Sequence, residues 1–143
     1  MFFYKHINTI NNNKCFYTLI FYFNIVLNTL FCQDSVYQKF YFESNLVSSE
    51  GYLVDNVPEG KWISYYENKN IKSEGFWKNS LLDSTWIFYD SNGRITLKEN
   101  YSKNLKNGFS ILYDSIGFII KKARYVDGKK DGKELIYYKG TNM

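Results

Sequence analysis

Shifted against itself by 24 residues, the sequence falls into register. Trp62-Ile63 lands on Trp86-Ile87, and Tyr65 lands on Tyr89, Tyr113 and Tyr137. Ile71 meets Ile95 and Ile119. Ile63, Ile87, Ile111 and Leu135 form another column, and Gly60, Ser84, Gly108 and Gly132 a third. A partial unit leads in, its Val47 and Glu50-Gly51 matching Ile71 and Glu74-Gly75. The aromatics Tyr52, Phe76, Tyr101 and Tyr125 follow at spacings of 24, 25 and 24. A fixed period of this length marks an array of one supersecondary unit, each copy packing on its neighbours.

Each unit reads as a β-hairpin. Lys61–Glu67 alternates as KWISYYE, Asn68-Lys69-Asn70 reverses the chain, and Ile71–Lys78 returns. Asn and Gly recur at the reversals because they tolerate positive φ, and the strands are rich in Tyr, Ile, Trp and Phe. Nine strands are predicted, over 39–43, 46–54, 61–67, 71–78, 85–90, 94–103, 108–114, 118–127 and 132–138. Short links make the simplest topology an all-β antiparallel meander, a hairpin array of about four and a half 24-residue units. The one proline, Pro58, then falls in a turn. The odd spacing of Val47 to Tyr52 and of Ile71 to Phe76 predicts bulges at Gly51 and Gly75.

Alternation along each strand assigns faces. The uniform Ile63/Tyr65, Ile87/Tyr89, Ile111/Tyr113 and Leu135/Tyr137 column is the expected structural face. On the other side Trp62, Tyr66, Trp86 and Phe88 form a candidate platform for a protein partner or a sugar ring. Trp77 has no tryptophan counterpart in other units, and Lys106 reads as a solvated turn lysine.

Residues 1–14 carry Lys5 and Lys14 and no acid; residues 15–32 carry no charge; Gln33 and Asp34 turn polar. That order is the order of a secretory signal peptide. The expected organisation is therefore a signal over 1–32 and a repeat domain over 33–143, in an exported protein. If the signal is not cleaved, residues 15–32 serve as a membrane anchor, since their length is near the lower limit for a span. Cys32 also raises lipid attachment, against which stands Phe31 at a position where a small residue is usual.

His6, Cys15 and Cys32 are the only histidine and cysteines, and all lie in that segment. The remainder has none, which excludes Ser-His and Cys-His nucleophiles, His or Cys metal sites and disulfides. No carboxylate pair stands out for acid–base work, so no catalytic residue, metal or cofactor is expected.

The phrase Gly60-Lys61-Trp62, Tyr65-Tyr66, Asn68, Ile71, Ser73-Glu74-Gly75-Phe76, Lys78-Asn79 resembles the bacterial variant of the MORN repeat. It is similar to the repeats of YwqK-family antitoxin proteins, over about 39–140. The resemblance implies a hairpin scaffold for protein contacts, sometimes for lipid, and supplies no catalytic residues. Three readings stay open: a protein-binding or structural scaffold, a partner that neutralises a cognate toxin, and a membrane-surface or carbohydrate-binding module.

Charge is uneven, with a net −4 over 33–93 and +6 over 94–143. Lys121, Lys122, Arg124, Lys129 and Lys130 form the densest basic cluster, a candidate contact for an anionic lipid surface. A nucleic-acid partner is not expected for an exported chain of pI about 8.9.

Overall fold

The computed structural model describes residues 34–138, so the N-terminal segment lies outside the described residues. Eight strands follow one another: β1 (Ser35–Tyr41), β2 (Val47–Val54), β3 (Val57–Tyr65), β4 (Ile71–Lys78), β5 (Leu81–Tyr89), β6 (Ile95–Ser102), β7 (Leu105–Tyr113) and β8 (Ile119–Val126). Two short pieces, β9 (Lys129–Lys130) and β10 (Leu135–Ile136), both pair with β8 and share the ninth position. From β1 to β8 each strand lies antiparallel to the one before it. The fold is the expected all-β array of successive hairpins, open and not closed into a barrel.

Two kinds of reversal alternate. Asp55-Asn56, Asn79-Ser80, Lys103-Asn104 and Asp127-Gly128 have positive φ at both positions. This is the tight two-residue geometry whose twist matches that of the flanking strands. The other reversal is longer, with Asn45, Lys69, Gly93 or Gly117 at positive φ. It is closed by backbone bonds such as Asp90 N–H to Arg94 C=O at 2.8 Å and Gly93 N–H to Asp90 C=O at 2.9 Å. The Asp90 carboxylate also accepts from the Asn92 and Arg94 amides, and Asp114 does the same for Ile116 and Phe118. These recurrent acids are turn-formers.

The tight turns lengthen β3, β5 and β7, which start at Val57, Leu81 and Leu105, earlier than the sequence suggested. Pro58 therefore lies in β3, opposite Leu53, and not in a turn. One unit on, the matching Leu82 N–H leaves the ladder and bonds Asn104 Oδ1 at 2.5 Å. A proline at this position thus forfeits no strand-to-strand hydrogen bond.

The ladders shift register at Gly51 and across Gly75, as expected, and at a second set of positions that the sequence did not suggest. Ladder pairing skips Ser48, Lys72, Thr96 and Ile120 in turn. These one-residue bulges bring Val47 with Tyr52, and Ile71 with Phe76, onto one face. The shifts at Gly51 and Gly75 leave their extra residues on the facing strand, at Gly60 and Ser84, and Gly108 repeats this one unit on; the three have φ of 74°, 60° and 118°. Gly51 and Gly75 themselves have no positive φ.

Strand contacts run between ladder neighbours, and no second layer covers the sheet among the described residues. The most deeply buried positions, Gly51, Gly75, Trp86, Glu99 and Ala123, all lie on one face by the strand register. That face, here the tryptophan face, is the tighter one. The uniform Ile/Tyr column on the opposite, tyrosine face is only half-buried.

Candidate functional site

On the tryptophan face, the indoles of Trp62 and Trp86 lie directly on the backbone of Gly51 and Gly75. A Cβ added at either glycine would stand 2.2 Å from the ring. The glycines are there for want of a side chain. Trp86 is 6% exposed. Its Nε1–H donates to Phe76 C=O at 3.2 Å. Trp77 meets it edge-on at 5.7 Å and Phe88 stacks at 6.3 Å. Phe40 stands 5.9 Å from Trp62.

Of the sequence-predicted platform, Trp62, Trp86 and Phe88 share this face, and the Trp86 ring is taken up by packing. Tyr66 donates its hydroxyl to Tyr89 C=O at 2.8 Å, with Lys72 5.8 Å over its ring. Trp77 is not an isolated feature. A strict 24-residue step matches it with Leu53, Tyr101 and Tyr125. The 25-residue spacing of Phe76 and Tyr101 conceals this column in the sequence.

The Gly–Trp pairing continues as a column and then inverts. Gly51 faces Trp62 and Gly75 faces Trp86, but in the third unit Glu99 faces Ser110. The large and small residues have changed strands. Glu99 is 4% exposed. It accepts from Tyr101 Oη at 2.6 Å and Ser110 Oγ at 2.9 Å and pairs closely with Lys106. Burial alone would raise its carboxyl, but the bonds from Lys106, Tyr101 and Ser110 outweigh burial and hold the pKa below the ordinary carboxylate value. The Tyr101 phenol is pushed up by burial and by donating to Glu99. Lys106 is therefore a counter-ion to a buried carboxylate, with its ammonium also 5.4 Å from the Tyr125 ring. The sequence had suggested a solvated turn lysine.

The tyrosine face carries a second recurrent pair. Tyr65 donates to Glu50 at 2.6 Å and Tyr89 to Glu74 at 2.7 Å. Lys39 and Lys61 complete these as ion pairs at 3.0 and 3.1 Å. In the next two units lysine replaces the acid: Lys98 lies 5.9 Å over Tyr113 and Lys122 lies 4.3 Å over Phe109. The column Glu50, Glu74, Lys98, Lys122 is where the sequence-level charge asymmetry becomes a surface feature.

Burial and the Glu74 acceptor push Tyr89 up to about 12. Burial and Glu50 push Tyr37 up to about 12. Glu74 is held below its ordinary value, chiefly by the Tyr89 bond. The raised phenols stabilise fully below their unfolded value near 10, and that stability is lost as pH rises through about 12. The depressed carboxylates act in the opposite sense, their contribution being lost as pH falls below about 4. Ultraviolet titration is expected to show a late tyrosine phase near 12. Tyr89→Phe should shrink it and cost about 1 kcal/mol, the low side for a bond to a charged group because water reaches the pair. An unchanged late phase would refute the Tyr89–Glu74 assignment.

Strand alternation divides the predicted basic cluster. Lys121 and Lys130 lie on the tryptophan face, where both pair with Glu134. Lys122, Arg124 and Lys129 lie on the other, where Arg124 pairs with Asp131 at 3.3 Å. The five do not form one patch.

Sequence reasoning passed over an apolar end to the array. Ile116 is 63% and Phe118 59% exposed, beside Ile136 at 57% and Tyr138 at 86%. An open groove of about 740 Å³ runs between Ile116–Ile120 and Tyr137–Tyr138. One unit earlier the matching turn residues are Asn92 and Arg94. That departure from the repeat was the available signal. Among the described residues no helix is long and apolar enough to cross a membrane, and no cluster of His, Cys, Asp and Glu could hold a metal ion. Comparison of the chain with models of known families, with characterised proteins and with solved structures finds no match.

Proposed function

We propose that this protein is an exported, non-catalytic scaffold of MORN-like hairpin repeats that binds a protein partner through the apolar end of its last unit. The observation that carries the reading is the exposed Ile116–Phe118 turn with Tyr137 and Tyr138, where the matching turn of the preceding unit carries Asn92 and Arg94. Exposed apolar patches of this kind mark interaction sites. Export rests on the basic, apolar, polar order of residues 1–34. An anionic lipid surface is the weaker partner, because Lys121, Lys130 and Arg124 spend their charge on Glu134 and Asp131.

The test is affinity capture from the envelope fraction with the full chain and with a variant carrying the preceding unit's residues, Ile116→Asn and Phe118→Arg. Circular dichroism confirms that the variant stays folded. Loss of the captured protein is the expected result. Retention by this variant, with loss on replacing Trp62 and Phe88, would return the site to the early aromatic residues. A tight one-to-one complex with a toxic protein would narrow the reading to a toxin-neutralising partner.

A further inference from the structure

The two edges of the sheet are built differently. At the C-terminal edge the ninth strand is broken into β9 and β10, with Gly132 at φ 81° between them. Lys129, Lys130, Lys133 and Glu134 also stand there. Broken strands and charge are the usual means of keeping an edge from pairing. At the other edge β1 has no such protection. It runs unbroken over seven residues, and the bulge beside it places its extra residue, Ser48, on β2. It holds no proline and no acid, and its one lysine is committed to Glu50. Among the described residues its outer edge has no ladder partner.

The strand is also complementary to itself. In an antiparallel pairing of two copies of Ser35–Tyr41 about Gln38, a two-fold axis perpendicular to the sheet keeps the two faces aligned. Phe40 then stands opposite Val36 of the second copy on the tryptophan face, and Gln38 opposite Gln38. On the tyrosine face Lys39 stands opposite Tyr37, and Tyr41 opposite Ser35. Apolar meets apolar, cation meets aromatic ring, and no like charges are directly opposed. Phe40 and Tyr41 are 42% and 47% exposed in the single chain and gain cover.

We propose that β1 is a homodimerisation edge, whose partner is the β1 of a second copy of this chain, joining the two sheets into one. The contact is a single strand long, so self-association is weak and concentration-dependent.

Two variants test it, Gln38→Glu and Gln38→Lys. Gln38 is a partly exposed edge residue whose side chain, among the described residues, bonds the Lys39 carbonyl at 3.2 Å, so both should fold, as circular dichroism can confirm. Sedimentation of the full chain in density-matched detergent is expected to show a reversible dimer. Each variant alone should self-associate at least about fivefold more weakly, because like charges face each other at the axis, and mixing the two should restore the dimer. A monomeric wild type, a dimer indifferent to both variants, or a mixture that fails to recover would each overturn the proposal.

Discussion

Gly75→Val is expected to destabilise the protein by about 3 kcal/mol, as much as Trp86→Ala, although one adds volume and the other removes it. The valine must enter space held by the Trp86 ring, which lies 2.2 Å from where its Cβ would be. Overpacking typically costs about 1–3 kcal/mol, and this contact is at the severe end. Trp86→Ala removes a ring that is 6% exposed, for which about 3 kcal/mol is the low end of the usual range. The double variant separates a true pair from two unrelated defects. With the indole gone the valine has room, so the two costs should fall short of additive by about 1–2 kcal/mol. Urea denaturation measures all three. Because β4 and β5 join the early hairpins to the late ones, breaking this contact should also lower the denaturant slope as the array loses cooperativity. Additive costs would mean that the ring and the glycine are not energetically coupled.

Lys106→Ala should cost about 2 kcal/mol, while Lys103→Ala, three residues away in the adjoining turn, should cost under about 0.5 kcal/mol. Removing Lys106 strands Glu99, whose side chain is 6% exposed. The figure is set below that for a fully buried pair because the lysine is 37% exposed and water screens part of the loss. The variant should also unfold at higher pH on acidification, since Glu99 loses the main bond that depresses its carboxyl. A converse substitution tests the repeat logic. Glu99→Gly and Ser110→Trp restore the pairing of the first two units. Each should destabilise alone, by a cavity with an unpaired lysine or by a clash, and together they should recover stability relative to either one. Equal costs at Lys106 and Lys103 would refute the counter-ion role.

Much of this was legible in the chain. Two-residue alternation and a 24-residue period require hairpins, and short links between neighbours leave the meander as the simplest path. Asn45, Asn56, Asn79, Gly93, Gly117 and Gly128 were legible as turn residues, whereas Gly60, Ser84 and Gly108 carry their positive φ inside strands. Strand starts were not legible, because Glu59, Asp83 and Asn107 look like loop and yet lie inside β3, β5 and β7. Composition reports what a turn tolerates and not where it must begin.

The candidate surfaces were less legible. Trp62, Trp86 and Phe88 could be placed on one face by parity alone. That Trp86 is spent on Gly75, Phe76 and Trp77 depends on the adjacent strands. The basic run at Lys121–Lys130 looked like one patch because sequence proximity ignores alternation, and pairing put its members on both sides.

Sequence by itself determined the unit, its period and the two-sided character of every strand, because these are local: backbone geometry repeats wherever the residue pattern does. Tertiary structure decided which residues are used up and which are left over. Gly51 and Gly75 read as bulge sites and are also platforms for indole rings; Lys106 looked like a solvated charge and neutralises a buried acid. Ile116 looked like one more turn and Phe118 like a strand start, and together they form the exposed apolar end. Each outcome depends on what the neighbouring strand brings alongside, and that follows from register and the accumulated bulges rather than from a residue's own type.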